Sequence, residues 1–252
     1  MITKLICLRC LAAEPPTIKA VLLNTGKAVE RFWEQFSAIN CTETISQSRL
    51  GKAGKVLSRK EASFDYLVLM RMADDGIAVE ESRVSSRPAG SEKSGPLLVT
   101  SGFSTLLFVF HPYYQSSFEY SQPLPDQVDG TAAVRVSFRQ IPRARSLSCL
   151  RLGGRDYPLE WSGTAWIEPV SGSILRITAA LGSGAEDLGL KLLDAEVQYA
   201  PVKFGDAAAA QWLPSVATIE AETPLQHWKN VHRFTGYKRF TVNSTTIVEM
   251  PK

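Results

Sequence analysis

The chain has 252 residues, of which 44% are hydrophobic and 21% are charged, a composition that is typical of a folded globular protein rather than a disordered one. Its net charge of +3 is small for this length and gives no reason to expect a nucleic-acid partner, which needs a concentrated basic surface. The longest apolar run, residues 97–110, is interrupted by Gly, Ser and Thr and is shorter than the roughly 20 residues of a membrane-spanning helix.

The first 16 residues, MITKLICLRCLAAEPP, have some features of a secretory signal. One lysine precedes a short apolar stretch and small residues, although Arg9 interrupts that stretch. We therefore expect residues 1–16 to be a signal-like or disordered N-terminus and residues 17–252 to form a single β-rich domain. This pattern favours a periplasmic or secreted protein, whereas the protein would be cytoplasmic if the segment is not a signal.

Two helices are predicted, and each is apolar on one face. Apolar side chains recur at helical spacing between Ile18 and Phe36 with charged residues between them, which predicts an amphipathic helix of about five turns that is weakened near Gly26. A second, short helix is predicted to end near His111 because four apolar side chains before it fall at positions i, i+3, i+4 and i+7: Phe103, Leu106, Leu107 and Phe110.

The remainder of the chain has the alternation typical of strands. The predicted strands cover residues 41–50, 62–72, 76–84, 116–120, 132–140, 146–152, 163–168, 173–181, 190–204, 213–223 and 228–242. Because no long helix separates these strands, a parallel sheet is disfavoured. We predict a mainly β protein with α elements (α+β): a single strongly curved antiparallel sheet, or incomplete β-barrel, of about eleven strands with both helices on its concave side.

The stretch WIEPVSGSILRI, residues 166–177, has the clearest local pattern in the chain. Pro169 presets its own backbone angle and Gly172 tolerates positive φ, so the centre of the stretch is predicted to be a turn. The residues after the turn alternate in character, which completes a β-hairpin. Glu168 is accordingly interpreted as part of the turn and not as a catalytic acid.

This hairpin resembles the central hairpin of the bacterial lipoprotein-carrier superfamily, which includes periplasmic lipoprotein chaperones, their outer-membrane receptors and envelope-stress sensors. The resemblance is carried by Trp166, Ile167, Glu168, Pro169, Ser171, Gly172 and Arg176. Residues 195–234 are also similar to an uncharacterised family of exported proteins from soil bacteria. The resemblance covers roughly residues 17–245 and implies an incomplete barrel, a helical lid and an apolar ligand cavity.

Candidate reactive groups are few. His227 and His232 are five residues apart, so on a regular strand they point to opposite faces and cannot share a metal ion. Glu220 and Glu222 share a strand face, and together with either histidine they are the only arrangement that suggests a hydrolase. We expect no metal site, no cofactor and no catalytic residue.

Two cysteines lie in the body of the chain, and their state is left open by the sequence. Cys41 and Cys149 form either one long-range disulfide, if the protein is exported, or two buried free thiols.

The leading hypothesis is a non-catalytic binding protein of the bacterial envelope with an apolar concave cavity. Its ligand would be a lipid, an acylated protein or a protein segment, and peripheral membrane association is compatible with it. The predicted cavity residues are Phe32, Trp33, Phe36, Phe103, Leu106, Leu107, Phe110 and Trp166. The alternatives are a structural or interaction protein with a filled core, and a hydrolase that uses His227 or His232 with Glu220 and Glu222.

Overall fold

The computed structural model of the protein describes residues 16–73, 76–85, 102–152, 155–181, 189–205 and 209–240. Helix α1 is Ile18–Phe36 and helix α2 is Pro112–Gln115, which directly follows a 3₁₀ helix, Phe103–Phe110; a second, short 3₁₀ helix is Lys52–Gly54. The strands are β1 (Ile39–Leu50), β2 (Val56–Ala73), β3 (Gly76–Ser85), β4 (Phe118–Tyr120), β5 (Leu124–Val128), β6 (Thr131–Gln140), β7 (Cys149–Leu152), β8 (Arg155–Pro158), β9 (Trp161–Ile167), β10 (Ile174–Leu181), β11 (Leu192–Val202), β12 (Gln211–Glu222) and β13 (His227–Arg239).

Within the described residues, eleven of these strands form one antiparallel sheet that does not close into a barrel. The strand order is β3-β2-β1-β13-β12-β11-β10-β9-β6-β4. Strand β6 pairs with two strands on its outer edge: its end pairs with β4 and its beginning pairs with β5. The predicted fold class, a single open antiparallel sheet with an N-terminal helix and a short inserted helix, is therefore confirmed.

The differences from the predicted strands are local. Strands β5 and β8 were not predicted, and the predicted strand at residues 146–152 corresponds to β7, which lies outside the main sheet and pairs with β8 alone. Strand β5 is short and begins Leu-Pro-Asp, so it has no apolar alternation. The turn between β5 and β6 is made by Asp129 and Gly130, both at positive φ, which is the geometry of a tight hairpin.

The sheet has an inner face, which the helices cover, and an outer face. Ile45, His232, Ala217 and Val197 lie side by side on the inner face of β1, β13, β12 and β11, because the strand register places each opposite the next. The 3₁₀ helix packs on β10, β11 and β12, and its last residues, Val109 and Phe110, are fully buried. The hydrophobic core therefore lies between this face and the helices.

Helix α1 begins at an ordinary polar cap, since the Thr17 hydroxyl accepts a hydrogen bond from the backbone N–H of Ala20. Its buried side follows the apolar stripe of the sequence and includes Val21, Val29, Phe32 and Phe36. Burying such side chains, at about 25 cal/mol per Å² of apolar surface removed from water, is what holds the helix on the sheet.

The turn between β9 and β10 holds the middle of α1. The side-chain amide of Asn24 donates to the backbone oxygens of Val170 at 3.0 Å and Pro169 at 3.4 Å. Gly172 has φ +72, and a Cβ built on it would lie 2.6 Å from the backbone carbonyl of Asn24. Only glycine fits here, for its backbone conformation and for the close approach of the helix.

Helix α2 packs against the opposite side of the same turn of α1. A Cβ on Gly26 would lie 3.0 Å from the amide nitrogen of Gln115, and that nitrogen donates to the backbone oxygens of Leu22 and Phe110. The glycine that weakens the predicted helix is thus the place where α2 crosses it closely. Its cost in helix propensity, about 1 kcal/mol, is offset by this contact.

We predict that Gly172→Ala destabilises the protein more than Gly130→Ala. Both glycines have positive φ, so both substitutions cost about 1–2 kcal/mol of backbone strain. The Cβ at position 130 meets open space, whereas the Cβ at position 172 meets the backbone of α1, which adds about 1–3 kcal/mol for displaced packing. Urea unfolding of the two variants measures the difference, and equal losses would show that α1 does not press on the turn.

Candidate functional site

A cavity of about 350 Å³ lies between α1, the 3₁₀ helix and the ends of β10, β11 and β12. Its described lining consists of Ala28, Val29, Arg31, Phe32, Gln35, Leu107, Ser171, Ser173, Ile174, Tyr199, Ala209, Ala210, Gln211, Trp212 and Leu213. The lining includes the exposed residues Arg31 and Ala209 and the buried residues Val29 and Leu213. The cavity therefore runs from the surface into the core.

The closed end of this cavity is aromatic and aliphatic. The ring of Phe32 packs edge-on against the ring of Tyr199, with centroids 6.5 Å apart, and Leu107 completes that wall. Tyr199 is buried, and its burial raises the pKa of its hydroxyl, which also hydrogen-bonds to the backbone of Leu107. This end excludes water and offers almost only apolar surface.

The open end is polar. The Gln211 amide donates to the side-chain oxygen of Gln35 at 2.5 Å, which links β12 to α1. The guanidinium of Arg31 donates to the backbone oxygen of Ser171 at 3.3 Å and links α1 to the hairpin turn. These side chains are neutral or cationic, so the cavity has an apolar floor and a hydrogen-bonding rim.

The structure brings two of the eight predicted cavity residues into this lining, Phe32 and Leu107. Phe36, Leu106 and Phe110 are buried in the core instead. The side chain of Trp33 is partly buried against the ring of His111, with centroids 5.2 Å apart. Phe103 begins the 3₁₀ helix, and its side chain lies outside the described part of the structure.

Trp166 lies on the outer face of the sheet and not in the cavity. Its ring lies under the guanidinium of Arg176, 4.8 Å from the ring centre, and its indole N–H donates to Asp126 at 3.0 Å. The alternation of β9 explains this placement, since the neighbours Ala165 and Ile167 take the two inward positions.

The rim residues were not predicted from the sequence. Arg31 and Gln35 are separated by one helical turn, but a charged and a polar residue on an amphipathic helix look like any solvated pair. Gln211 and Trp212 follow a run of four alanines, and nothing in the sequence places that segment next to α1. Only the long-range pairing of β11 with β12 brings them there.

A second polar site is buried on the inner face, away from the cavity lining. Glu43 is completely buried and forms two hydrogen bonds to the guanidinium of Arg83, at 2.5 and 3.0 Å, and a third to Nδ1 of His232 at 2.8 Å. Arg83 also pairs with Glu81 at 2.7 Å, and Gln47 donates to Asn230 at 3.0 Å beside them. We call Glu43, Glu81, Arg83 and His232 the buried ion cluster.

Opposing effects act on the carboxyl group of Glu43. Burial raises its pKa, but the hydrogen bonds from His232 and Arg83 and their charges outweigh burial and hold the pKa below its ordinary value. The pKa of Arg83 is raised, because the hydrogen bond and charges of Glu43 and Glu81 outweigh its burial. Glu43 is therefore an ionised, fully paired carboxylate and not a poised proton donor.

The hydrolase alternative requires His227 or His232 beside Glu220 and Glu222. His227 does accept or donate a hydrogen bond at 2.8 Å to Glu220, on the outer face of β12 and β13. His232 lies on the inner face with Glu43, so it is not brought to the two glutamates. The prediction that the two histidines point to opposite faces is correct. Among the described residues no group of three or more His, Cys, Asp and Glu side chains is arranged to hold a metal ion.

Glu168 is part of the hairpin turn. Its carboxylate accepts hydrogen bonds from the backbone N–H groups of Ser171 at 2.6 Å and Val170 at 3.0 Å. Burial raises its pKa, but the hydrogen bonds at Ser171 and Val170 outweigh that effect and keep the pKa below its ordinary value. The group thus stabilises the turn that carries Gly172.

Both cysteines in the described part of the chain are free thiols, so the disulfide alternative is not the one the structure takes. Cys41 is buried on β1, whereas Cys149 is exposed on the small β7-β8 hairpin. Burial and the charge of Glu43 raise the pKa of the Cys41 thiol to about 12. Cys41 is therefore protonated and unreactive at neutral pH.

Neither the models of known protein families nor the curated proteins give a match to this chain. Among solved structures it is similar to a domain described as an outer membrane lipoprotein-sorting protein from Vibrio parahaemolyticus, with a TM-score of 0.45, 13% identity, and coverage of 88% of this chain and 93% of that one. It is also similar to a DUF1329 family protein from Desulfovibrio piger ATCC 29098, with a TM-score of 0.45, 12% identity, and coverage of 90% and 95%.

No helix among the described residues is both long enough and apolar enough to cross a membrane.

We predict that Glu43→Gln lowers the free energy of unfolding by about 3 kcal/mol at neutral pH, because it leaves the buried guanidinium of Arg83 and the ring of His232 without their shared ionised partner. The matched control is Glu61→Gln on the neighbouring strand, whose pair with Arg59 has side chains 58% and 61% exposed and is worth at most about 1 kcal/mol. Chemical denaturation of both variants makes the comparison. Similar small losses would show that the cluster does not stabilise the fold.

The effect of Glu43→Gln on stability should also depend on pH. The pKa of Glu43 is lowered in the folded state, so its contribution is complete above the unfolded pKa of about 4.3 and is lost as the pH falls through the lower folded value. The difference in unfolding free energy between the wild type and Glu43→Gln should therefore shrink as the pH falls below about pH 4. A difference that grows on acidification would contradict the assignment.

Proposed function

We propose that the protein is a non-catalytic binding protein of the bacterial envelope, which holds a lipid or the acyl chain of an acylated protein in the cavity under α1. The observation that carries this proposal is the cavity itself, a volume of about 350 Å³ with an apolar floor and a polar rim, in the region where the helices cover the sheet. Ligand pockets in proteins begin at about 300 Å³, and close-packed interiors contain few voids larger than a water molecule.

The chemistry of the lining supports an amphiphilic ligand with an apolar chain. The floor is formed by Phe32, Leu107 and Leu213, which give an alkyl chain dispersion contacts and remove it from water. Each methylene group buried there contributes about 0.8 kcal/mol. The rim carries hydrogen-bonding groups, so the polar end of an amphiphile can stay hydrated at the surface.

Binding rather than catalysis is supported by the composition of the lining. Among its described residues there is no histidine, cysteine, aspartate or glutamate, so the two serine hydroxyls of the lining, Ser171 and Ser173, have no carboxylate, imidazole or thiol group within it to act as a general base. The most concentrated set of titratable groups, the buried ion cluster, is fully paired and lies on other strands. A structural protein with a filled core, the alternative from the sequence, would have no comparable volume under α1.

The envelope location is supported by the N-terminal segment, whose signal-like pattern lies at residues 1–16, of which all but Pro16 lie outside the described residues. A carrier of acyl chains is needed between two membranes, because water separates the membrane that supplies the chain from the membrane that receives it. The similar lipoprotein-sorting domain bears a name of that kind.

The test is the binding of a fluorescent fatty-acid analogue to the purified protein and to Ala28→Trp. Ala28 lines the cavity, so an indole there fills part of the volume and should weaken binding by about tenfold or more. The matched control is Ala20→Trp, the same change two turns earlier on the exposed side of α1. Fluorescence titration gives the three dissociation constants.

The expected result is saturable binding by the wild type and Ala20→Trp, with displacement by unlabelled fatty acid, and weak binding by Ala28→Trp. A urea midpoint within the error of the wild type shows that each variant is folded. Absence of saturable binding by the wild type, or equal binding by the two tryptophan variants, would contradict the proposal.

A further inference from the structure

The described lining of the cavity contains one charged side chain, Arg31. Every other described lining residue is apolar or neutral. Arg31 lies on α1 one turn before Gln35 and next to Phe32, so its guanidinium stands at the boundary between the polar rim and the apolar floor. A positive charge at such a boundary favours a ligand that carries the opposite charge there.

No carboxylate group of the described residues forms an ion pair with Arg31. Its only hydrogen bond there is one donated by Nη2 to the backbone oxygen of Ser171, at 3.3 Å, and a guanidinium has five N–H donors. Two arginines of the sheet, in contrast, form ion pairs: Arg176 with Glu196 at 3.0 Å and Arg139 with Glu119 at 2.7 Å. Most of the N–H donors of Arg31 are therefore bound to no described group of the protein and are open to water or to a ligand.

The neighbouring amides add to this arrangement. Gln35 uses its side-chain oxygen to accept the hydrogen bond from Gln211, and its amide N–H groups have no partner among the described residues. Gln211 adds no donor, because its amide nitrogen donates to Gln35 and its side-chain oxygen, which is buried without a hydrogen-bond partner in the described structure, is an acceptor. Arg31 and Gln35 therefore present donors from the same face of α1 to the mouth of the cavity.

We propose that the ligand is an anionic amphiphile, whose carboxylate or phosphate binds Arg31 and Gln35 while its alkyl chain lies along Phe32, Leu107 and Leu213. This inference rests on the proposed function, since it names the head group of the ligand that the cavity holds. A guanidinium binds carboxylate and phosphate with paired, charge-assisted hydrogen bonds. A neutral or cationic head group would leave these donors without a charged partner.

The experiment compares three ligands with the same chain: lauric acid, dodecyl phosphate and dodecanol, each displacing the fluorescent fatty-acid analogue under conditions where the acid is ionised. The wild type should bind both anions about fivefold more tightly than the alcohol, the size expected for an ion pair at the surface end of the cavity. The tighter of the two anions identifies whether the natural head group is a carboxylate or a phosphate.

Arg31→Gln should remove most of that preference while its affinity for dodecanol stays unchanged. Its control is Lys27→Gln, one turn earlier on α1, which removes the same charge from an exposed residue outside the described lining and should keep the preference. Unchanged dodecanol binding separates a lost head-group contact from a damaged cavity.

The two proposals fail in different ways. If none of the three ligands displaces the analogue from the wild type, the proposed function is wrong. If the wild type binds the alcohol as tightly as the anions, or if Lys27→Gln loses the preference as fully as Arg31→Gln does, the cavity still binds amphiphiles but the role of Arg31 is overturned.

Discussion

The contact between α1 and the turn of the β9-β10 hairpin determines how the rest of the protein is arranged. Gly172 allows the helix backbone at Asn24 and Thr25 to approach the turn closely, and the Asn24 amide ties the two together. On the other side of the same helical turn, Gly26 lets α2 approach. The helix is thus fixed at residues 24–26, and the cavity lies beside the following turns, residues 28–35.

The inner face of the sheet is divided into two regions of different chemistry. Around β10, β11 and β12 it is apolar and lies under the helices, with the cavity at its edge. On β1, β3 and β13 it carries the buried ion cluster, in which Glu43 satisfies both Arg83 and His232. Charges this deeply buried are tolerated only when they are fully paired, so the cluster connects three strands at fixed positions and contributes no free reactive group.

The elements of the fold with a strong local pattern were predictable. The period of the apolar residues gave α1 the bounds Ile18 and Phe36 that the structure has, and Pro169 and Gly172 marked the hairpin turn correctly. Strand β5 was missed because Leu124, Pro125 and Asp126 have no alternation, and it exists only through its pairing with β6. Strand β5 therefore forms through its pairing with β6 and not through a strand pattern in its own sequence.

The candidate site was much less predictable, because apolar side chains look the same whether they line a cavity or fill a core. Phe32 lines the cavity and Phe36, one helical turn later, is packed in the core, yet their sequence environments are alike. Trp166 was predicted to line the cavity, but the strand alternation places it on the outer face. The role proposed for Arg31 could not be predicted from the sequence. It depends on two features of the fold: Arg31 lies against the hairpin turn, and it has no carboxylate partner among the described residues.

The central claim is that the space under α1 is a binding site for an alkyl chain. The most direct measurement is nuclear magnetic resonance of the protein labelled at its isoleucine and leucine methyl groups, in complex with unlabelled lauric acid. We expect nuclear Overhauser effects from the ligand chain to the methyl groups of Leu107, Ile174 and Leu213. Effects confined to exposed methyl groups such as those of Leu23 and Leu225, with none to these three, would contradict it.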